Sequence, residues 1–228
     1  MNKKTEIGTL YVVATPIGNL EDITLRALRI LKEVDLIAVE DSRRAKILLN
    51  HYQITTPLTS FYSAKQKTQA LHLTEKLLNG TSIALITEAG SPGISDPGHY
   101  LVSKAQEAGI KVIPIPGASA LVSAIMASGM NSYAFTFYGF LPPKGGKRRK
   151  ALNSIAFSPH PVVLYESPYR IKKTLKELHE TLGERKVFIG REMTKLYEEY
   201  LNLSLSDAIR HFEENKPRGE FTIILMVE

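Results

Sequence analysis

Cysteine is absent from all 228 residues, which excludes disulfides, iron–sulfur clusters and thiol nucleophiles and removes one sign of secretion. No apolar run approaches the roughly 18 residues of a membrane-spanning helix. The amino-terminal "MNKKTEIGTLYVVATPIG" has lysines and a short apolar run, but Thr15 and Pro16 interrupt it too early for a signal peptide. The chain therefore reads as cytoplasmic. The common nucleotide signatures are lacking too. G-x-G-x-x-G does not follow the first strand pattern, and "GGKRR" has neither the upstream glycine nor the Ser/Thr of a phosphate-binding loop. "AGSPG" around Ser91 falls short of a nucleophile elbow because Ala89 stands where glycine is required. His51, His72, His179 and His211 lie in helical patterns without H-x-x-x-H pairing, so no metal is expected. No segment repeats or drops to low complexity.

What is present is an ordinary globular composition, 43% hydrophobic and 23% charged, with a formal net charge of +6. The excess is local. In "KGGKRRK" the residues Lys144, Lys147, Arg148, Arg149 and Lys150 are all basic, and such a cluster suits phosphate contacts that ignore sequence and weaken with salt. With Gly145 and Gly146 it reads as a flexible segment. A solubilising loop is the plainer account.

Strand and helix patterns alternate through the first half. "TLYVVAT", "DLIAVE", "LTSFY", "SIALIT" and "KVIPI" read as strands. "ITLRALRILKEV" with Asp22 as cap, "SRRAKILLNHY" opened by Asp41 or Ser42, "QALHLTEKLLNG", "HYLVSKAQEAG" and "PGASALVSAIMASG" read as helices. The second half has strands in closer succession around "YRIKKTLKELHETL" and "SDAIRHFEEN", which predicts a mixed sheet. The reading is thus two α/β domains, 1–118 and 119–228.

Four loops rich in glycine or proline follow strands: "TPIGN", "EAGSPGISDPG", "IPGAS" and "ESPYR". In α/β proteins the loops at the carboxyl ends of strands form the ligand crevice. Glycine lets a ligand approach the backbone, and proline stiffens that approach. Tight turns alone would use the same residues. "VEDSRR" puts Glu40 and Asp41 at a strand end ahead of Arg43 and Arg44; "GREMTKLYEE" does the same with Arg191, Glu192, Lys195 and Glu198. A helix cap and a solvated hairpin are the bland readings.

In order, "LYVVATPIGNLEDITLRALRIL", "EDSR", "EAGSPGISDPG", "PGASALVSAIMASG", "GFLPPK", "YESPYRI" and "RGEFTII" resemble the blocks of the ribosomal RNA small-subunit methyltransferase I family, of the tetrapyrrole-methylase-like superfamily. The resemblance spans residues 8–227. It implies a two-domain α/β fold with S-adenosylmethionine (AdoMet) in the inter-domain cleft. The implied activity is methyl transfer to the ribose 2′-hydroxyl of a cytidine in 16S rRNA of the 30S subunit, in a homodimer without membrane attachment. The cofactor loops it implies are Pro16, Ile17 and Gly18; Glu88, Ala89, Gly90, Ser91 and Pro92; and Gly117, Ala118, Ser119 and Ala120, with Tyr165 from the second domain. The chain departs from the family in having Glu88 where aspartate is common, and in stopping at Glu228 without the helical extension of longer relatives.

Asp41, Glu166 and Glu192 are the candidates for a base that takes the hydroxyl proton. Lys144, Lys147, Arg148, Arg149, Lys150, Arg43 and Arg44 are the candidates for the RNA backbone. The rival readings are a tetrapyrrole or other small-molecule methyltransferase, and a non-catalytic RNA- or ribosome-binding relative.

Overall fold

The computed structural model describes residues 6–62, 66–96, 98–131 and 133–227. Contacts divide the chain into two compact units, Met1–Ser119 and Ala120–Glu228.

The first unit is a five-stranded sheet of β1 (Leu10–Val13), β2 (Leu36–Val39), β3 (Leu58–Ser60), β4 (Ile83–Leu85) and β5 (Val112–Ile115) in the order β3-β2-β4-β1-β5, with every pairing parallel. Apart from the edge strand β3, its strands are near-continuous apolar runs because both faces are covered, as parallel sheets require. Val13, Ile37, Val39, Ala84 and Ile86 pack with Ala27, Ile30 and Leu31 of α1 (Leu25–Glu33) and Leu49 of α2 (Ser42–His51). Leu10, Ala38, Ile83 and Leu85 face the other way, onto α3 (Gln66–Leu78) and α4 (His99–Glu107). Since all five strands run in one direction, their carboxyl ends emerge along one edge of the sheet, and the glycine-rich loops gather there.

Asp22 does not cap α1. It sits in a short 3-10 turn, and Thr24 takes the cap, its Oγ1 accepting from the Ala27 N–H at 3.1 Å. Asp41 does cap α2, accepting from the Arg43 N–H at 2.8 Å.

The second unit opens with α5 (Ala120–Ser128) and holds a mixed sheet of β6 (Thr136–Phe140), β7 (Val162–Glu166), β8 (Lys186–Arg191), β9 (Glu199–Ser204) and β10 (Phe221–Leu225), ordered β6-β7-β10-β8-β9. Only β6–β7 is parallel; the other pairings are antiparallel. The last strand of the chain lies in the middle of this sheet, and all five of its residues are buried. α7 (Ile171–Leu182) and α8 (Leu205–Glu214) cover one face through Leu175, Leu178, Ala208 and Phe212.

The basic segment is not the flexible loop its glycines suggest. Residues Gly145–Ala156 form helix α6, preceded by Lys144 in extended conformation. Only Gly145 uses glycine's freedom, at φ +79°. From Lys147 onward the residues are good helix formers, and Arg148, Leu152 and Ile155 recur at helical spacing on the buried face. The signal was legible in outline, but an arginine occupies a position where an apolar residue would have revealed it. Among the described residues no helix is long and apolar enough to cross a membrane.

Candidate active site

The loops after β1, β4 and β5 are tied together by backbone. Thr15 and Gly90 exchange both of their hydrogen bonds, Thr15 N–H to Gly90 O at 2.9 Å and Gly90 N–H to Thr15 O at 3.0 Å. The Thr15 hydroxyl donates to Thr87 O at 3.3 Å, and Ala14 N–H donates to Ile115 O at 3.1 Å. Two glycines are required by this closeness. A Cβ on Gly90, which has φ +81°, would stand 3.2 Å from Ile17 Cγ2; one on Gly117 would stand 3.0 Å from Ala14 Cβ and 3.3 Å from its carbonyl oxygen. Pro16 is buried, Ile17 and Ser91 are half-buried, and Gly18, Glu88 and Ala89 are exposed. Loops distant in sequence thus converge on one rigid edge.

Thr87 Oγ1 is buried there without a hydrogen-bond partner among the described residues. A buried hydroxyl left unsatisfied is costly. Together with the glycine backbone and the Glu88 carboxylate it makes a donor and acceptor set suited to a small polar molecule carrying hydroxyl, amine and carboxylate groups.

The acids and arginines after β2 and β4 sort themselves into partners. Asp41 is committed to Arg43, whose Nη2 lies 3.1 Å from Asp41 Oδ2. The Arg43 side chain and then its backbone N–H, by hydrogen bonding, hold the Asp41 carboxyl below its ordinary value. Arg44 Nη1 lies 2.5 Å from Glu88 Oε2. Glu40 has no hydrogen-bond or ion-pair partner among the described residues. Burial first, then the charges of Glu88 and Asp96, raise its carboxyl above the usual value. Sequence reasoning placed Glu40 at a strand end but gave it no role; its separation from its neighbours' pairings is visible only in three dimensions.

In the second unit, Tyr165 on β7 accepts the Leu121 N–H at the start of α5 through its hydroxyl, at 3.1 Å, and its ring meets Phe137 edge-on at 5.0 Å. Ala120 begins the same helix, whereas Gly117, Ala118 and Ser119 belong to the first unit.

Two sequence assignments are corrected here. Glu166 is 2% exposed and already engaged: it accepts from Thr174 Oγ1 at 2.6 Å and from the Ser167 N–H at 2.8 Å, and pairs with Arg170 Nε at 3.3 Å. A carboxylate so enclosed organises the chain and is not poised to receive a substrate proton. Arg148 is 3% exposed and spends its guanidinium internally, on Glu177 at 2.7 Å, Thr174 Oγ1 at 2.8 Å and Pro142 O at 3.0 Å. It anchors α6 to α7 and does not face a polyanion. Lys144, Lys147, Arg149 and Lys150 do remain exposed.

Glu192 stands in a left-handed turn, φ +48°. Its Oε1 accepts from Lys195 Nζ at 2.9 Å and from the Glu220 N–H at 2.9 Å. Burial opposes its ionisation, but these bonds prevail and hold the carboxyl below its ordinary value. It too is occupied.

The model of the Tetrapyrrole (Corrin/Porphyrin) Methylases matches residues 9–209. The Ribosomal RNA small subunit methyltransferase I of Halalkalibacterium halodurans is 48% identical over 223 residues, 98% of this chain and 77% of that protein. Its counterpart from Thermotoga maritima is 48% identical over 219 residues, covering 96% of this chain and 98% of that one. Among solved structures, the uroporphyrin-III C-methyl transferase of Thermus thermophilus complexed with S-adenyl homocysteine aligns with a TM-score of 0.67 at 19% identity, over 95% of this chain and 97% of the other. That last likeness concerns the fold. The parallel sheet with its hydrogen-bonded strand-end loops, the mixed second sheet and the near-complete sequence matches agree: the chain belongs to the ribosomal RNA small subunit methyltransferase I family, within the tetrapyrrole methylases.

Proposed function

We infer that the protein transfers a methyl group from AdoMet to the ribose 2′-hydroxyl of a cytidine in 16S rRNA, acting on the 30S subunit in the cytoplasm. The observation that carries this reading is the convergence of the β1, β4 and β5 loops beside Thr87, whose buried hydroxyl has no partner among the described residues, in a chain whose relatives bear the name of an rRNA methyltransferase.

The residues fit the cofactor. Residues 16–18, 88–92 and 117–119 offer backbone N–H and C=O groups, and Thr87 and Glu88 offer side-chain partners for its hydroxyls and amine. When bound, AdoMet supplies an already activated methyl group, so the chemistry calls for no metal. The chain's own task is to hold the acceptor oxygen in line. Such positioning is worth roughly 7–11 kcal/mol where it is well achieved. The closeness required at Gly90 and Gly117 serves that end by leaving the loops little room to move.

Lys147, Arg149 and Lys150 would contact RNA phosphates. No ion pair among the described residues engages them, and α6 contains no acidic residue. Three exposed cations on one helix suit an extended run of phosphates, which supports the RNA reading.

The homodimer reading is supported by α5, which carries no charged residue and leaves Val122 53% and Met126 81% exposed one turn apart. Such an apolar face suits a second copy of the chain. Met126→Glu should then shift the protein to monomer in light scattering.

The deciding experiment offers tritiated AdoMet with assembled 30S subunits, free nucleosides or porphyrin precursors. Label in the 16S rRNA of the subunits supports the reading. Label in the small molecules would reverse it, and RNA binding without any label would mark a non-catalytic relative.

A further inference from the structure

A carboxylate that takes a proton from the acceptor hydroxyl needs a lone pair not committed to another partner. Asp41 is held by Arg43, Glu166 by Thr174, Ser167 and Arg170, Glu192 by Lys195 and Glu220, and Glu88 by Arg44. Glu40, one residue past β2, differs from these carboxylates in having no partner among the described residues.

Its position is defined by the sheet. The β2–β4 register pairs Ala38 with Leu85, and the ladder continues with Ile86 N–H donating to Ala38 O at 3.0 Å. Glu40 and Thr87 follow these two neighbouring strands and leave the sheet at the same edge. The Thr87 hydroxyl, in a residue 6% exposed, is buried there without a hydrogen-bond partner among the described residues. A carboxylate and a hydroxyl with no protein partner among the described residues thus stand at the strand ends beside the loop that begins at Glu88.

The charged groups around Glu40 reinforce its chemistry. Glu88 and Asp96 both repel its negative charge, and partial burial weakens its solvation. Arg44 sits one turn along α2 but directs its guanidinium to Glu88. A carboxylate made more basic in this way is a better proton acceptor near neutral pH than an ordinary one.

We propose that Glu40 is the general base of the methyl transfer. This rests on the methyltransferase reading. As the acceptor oxygen forms its bond to the methyl carbon, the carbon–sulfur bond breaks with its electron pair going to sulfur, giving S-adenosylhomocysteine. The hydroxyl proton passes to the Glu40 carboxylate and from there to water.

The test compares wild type, Glu40→Gln and Glu40→Asp, each checked for an unchanged circular-dichroism spectrum. Calorimetry with S-adenosylhomocysteine reads binding, single-turnover labelling of 30S subunits reads transfer across pH, and carboxyl-carbon NMR reads the titration of Glu40 in the free protein. The expected result is an affinity for S-adenosylhomocysteine within about twofold of wild type and a transfer rate lowered about 10²–10⁴-fold in Glu40→Gln. Glu40→Asp should recover part of the rate, and the wild-type rate should rise with pH through the NMR midpoint of Glu40. A Glu40→Gln enzyme that transfers methyl as fast as wild type overturns the proposal. So does loss of S-adenosylhomocysteine binding in step with the rate, which would make Glu40 a cofactor ligand. Absence of transfer by the wild type would overturn the functional reading itself.

Discussion

Arg44 Nη1 lies 2.5 Å from Glu88 Oε2, so a cation assigned to RNA is paired with a carboxylate assigned to the cofactor. The two roles compete unless a ligand separates them. An ion pair this exposed is worth no more than about 1 kcal/mol, so an AdoMet amine could displace Arg44 at small cost and leave it free for a phosphate. Glu88→Ala is expected to weaken S-adenosylhomocysteine binding in calorimetry. Arg44→Met should strengthen it, by at most about fivefold, while weakening binding to 30S subunits.

The cations of α6 divide into one that folds the protein and three that face water. Arg148→Met removes the guanidinium from Glu177, which keeps Lys173 at 3.8 Å, and from Thr174, which keeps Glu166; it should cost about 3 kcal/mol in urea unfolding, the low end for a broken buried pair because Glu177 keeps some contact with water. Replacing Lys147, Arg149 and Lys150 together by alanine should leave stability within about 0.5 kcal/mol per site. The triple variant should bind rRNA more weakly and with a shallower salt dependence. Equal loss of stability in both variants would contradict this division.

Gly90→Ala tests the loop closure. The new Cβ enters a left-handed backbone position beside Ile17 Cγ2, a strain of about 1–2 kcal/mol. A lower melting temperature and weakened S-adenosylhomocysteine binding are expected together. Gly93→Ala is the control, with positive φ but nothing within 4 Å of its added Cβ: it should lower stability with less effect on affinity.

Glu192 and Glu40 predict opposite responses to pH. Glu192 is depressed in the folded state, so its contribution is complete above its ordinary value of 4.5 and lost as the pH falls through the folded value. The melting temperature of Glu192→Gln should lie below wild type at neutral pH and converge with it in acid. Glu40 is raised, so the folded state holds its proton more tightly and stability declines as the pH rises through the folded value. Glu40→Gln should therefore be more stable than wild type at neutral pH, with the advantage shrinking as the pH falls through the folded value and gone below 4.5.

Much of this was legible in residues read singly or by spacing. Apolar runs announced the strands and a period of about 3.6 the helices, and Asp41 was legible as a cap through its bond to a residue two places away; at α1 the sequence offered Asp22, and Thr24 holds the cap instead. The convergent strand-end loops were legible in their glycines, of which Gly90 and Gly117 are needed for close approach. What misled was residue type taken without its partner. Arg148 looked like one more cation of a basic run, and Glu166 like a free acid at a strand end.

The alternating α/β pattern, the glycine-rich strand ends and the family are properties of the sequence alone, because they depend on contacts and backbone preferences a few residues long and on the order of blocks. Which charges are spent and which are free was decided only by the tertiary structure. Arg44 meets Glu88 across 44 positions and Arg148 meets Glu177 across 29, and an ion pair is set by distance in space, which the folded sheets create between residues that no local pattern links.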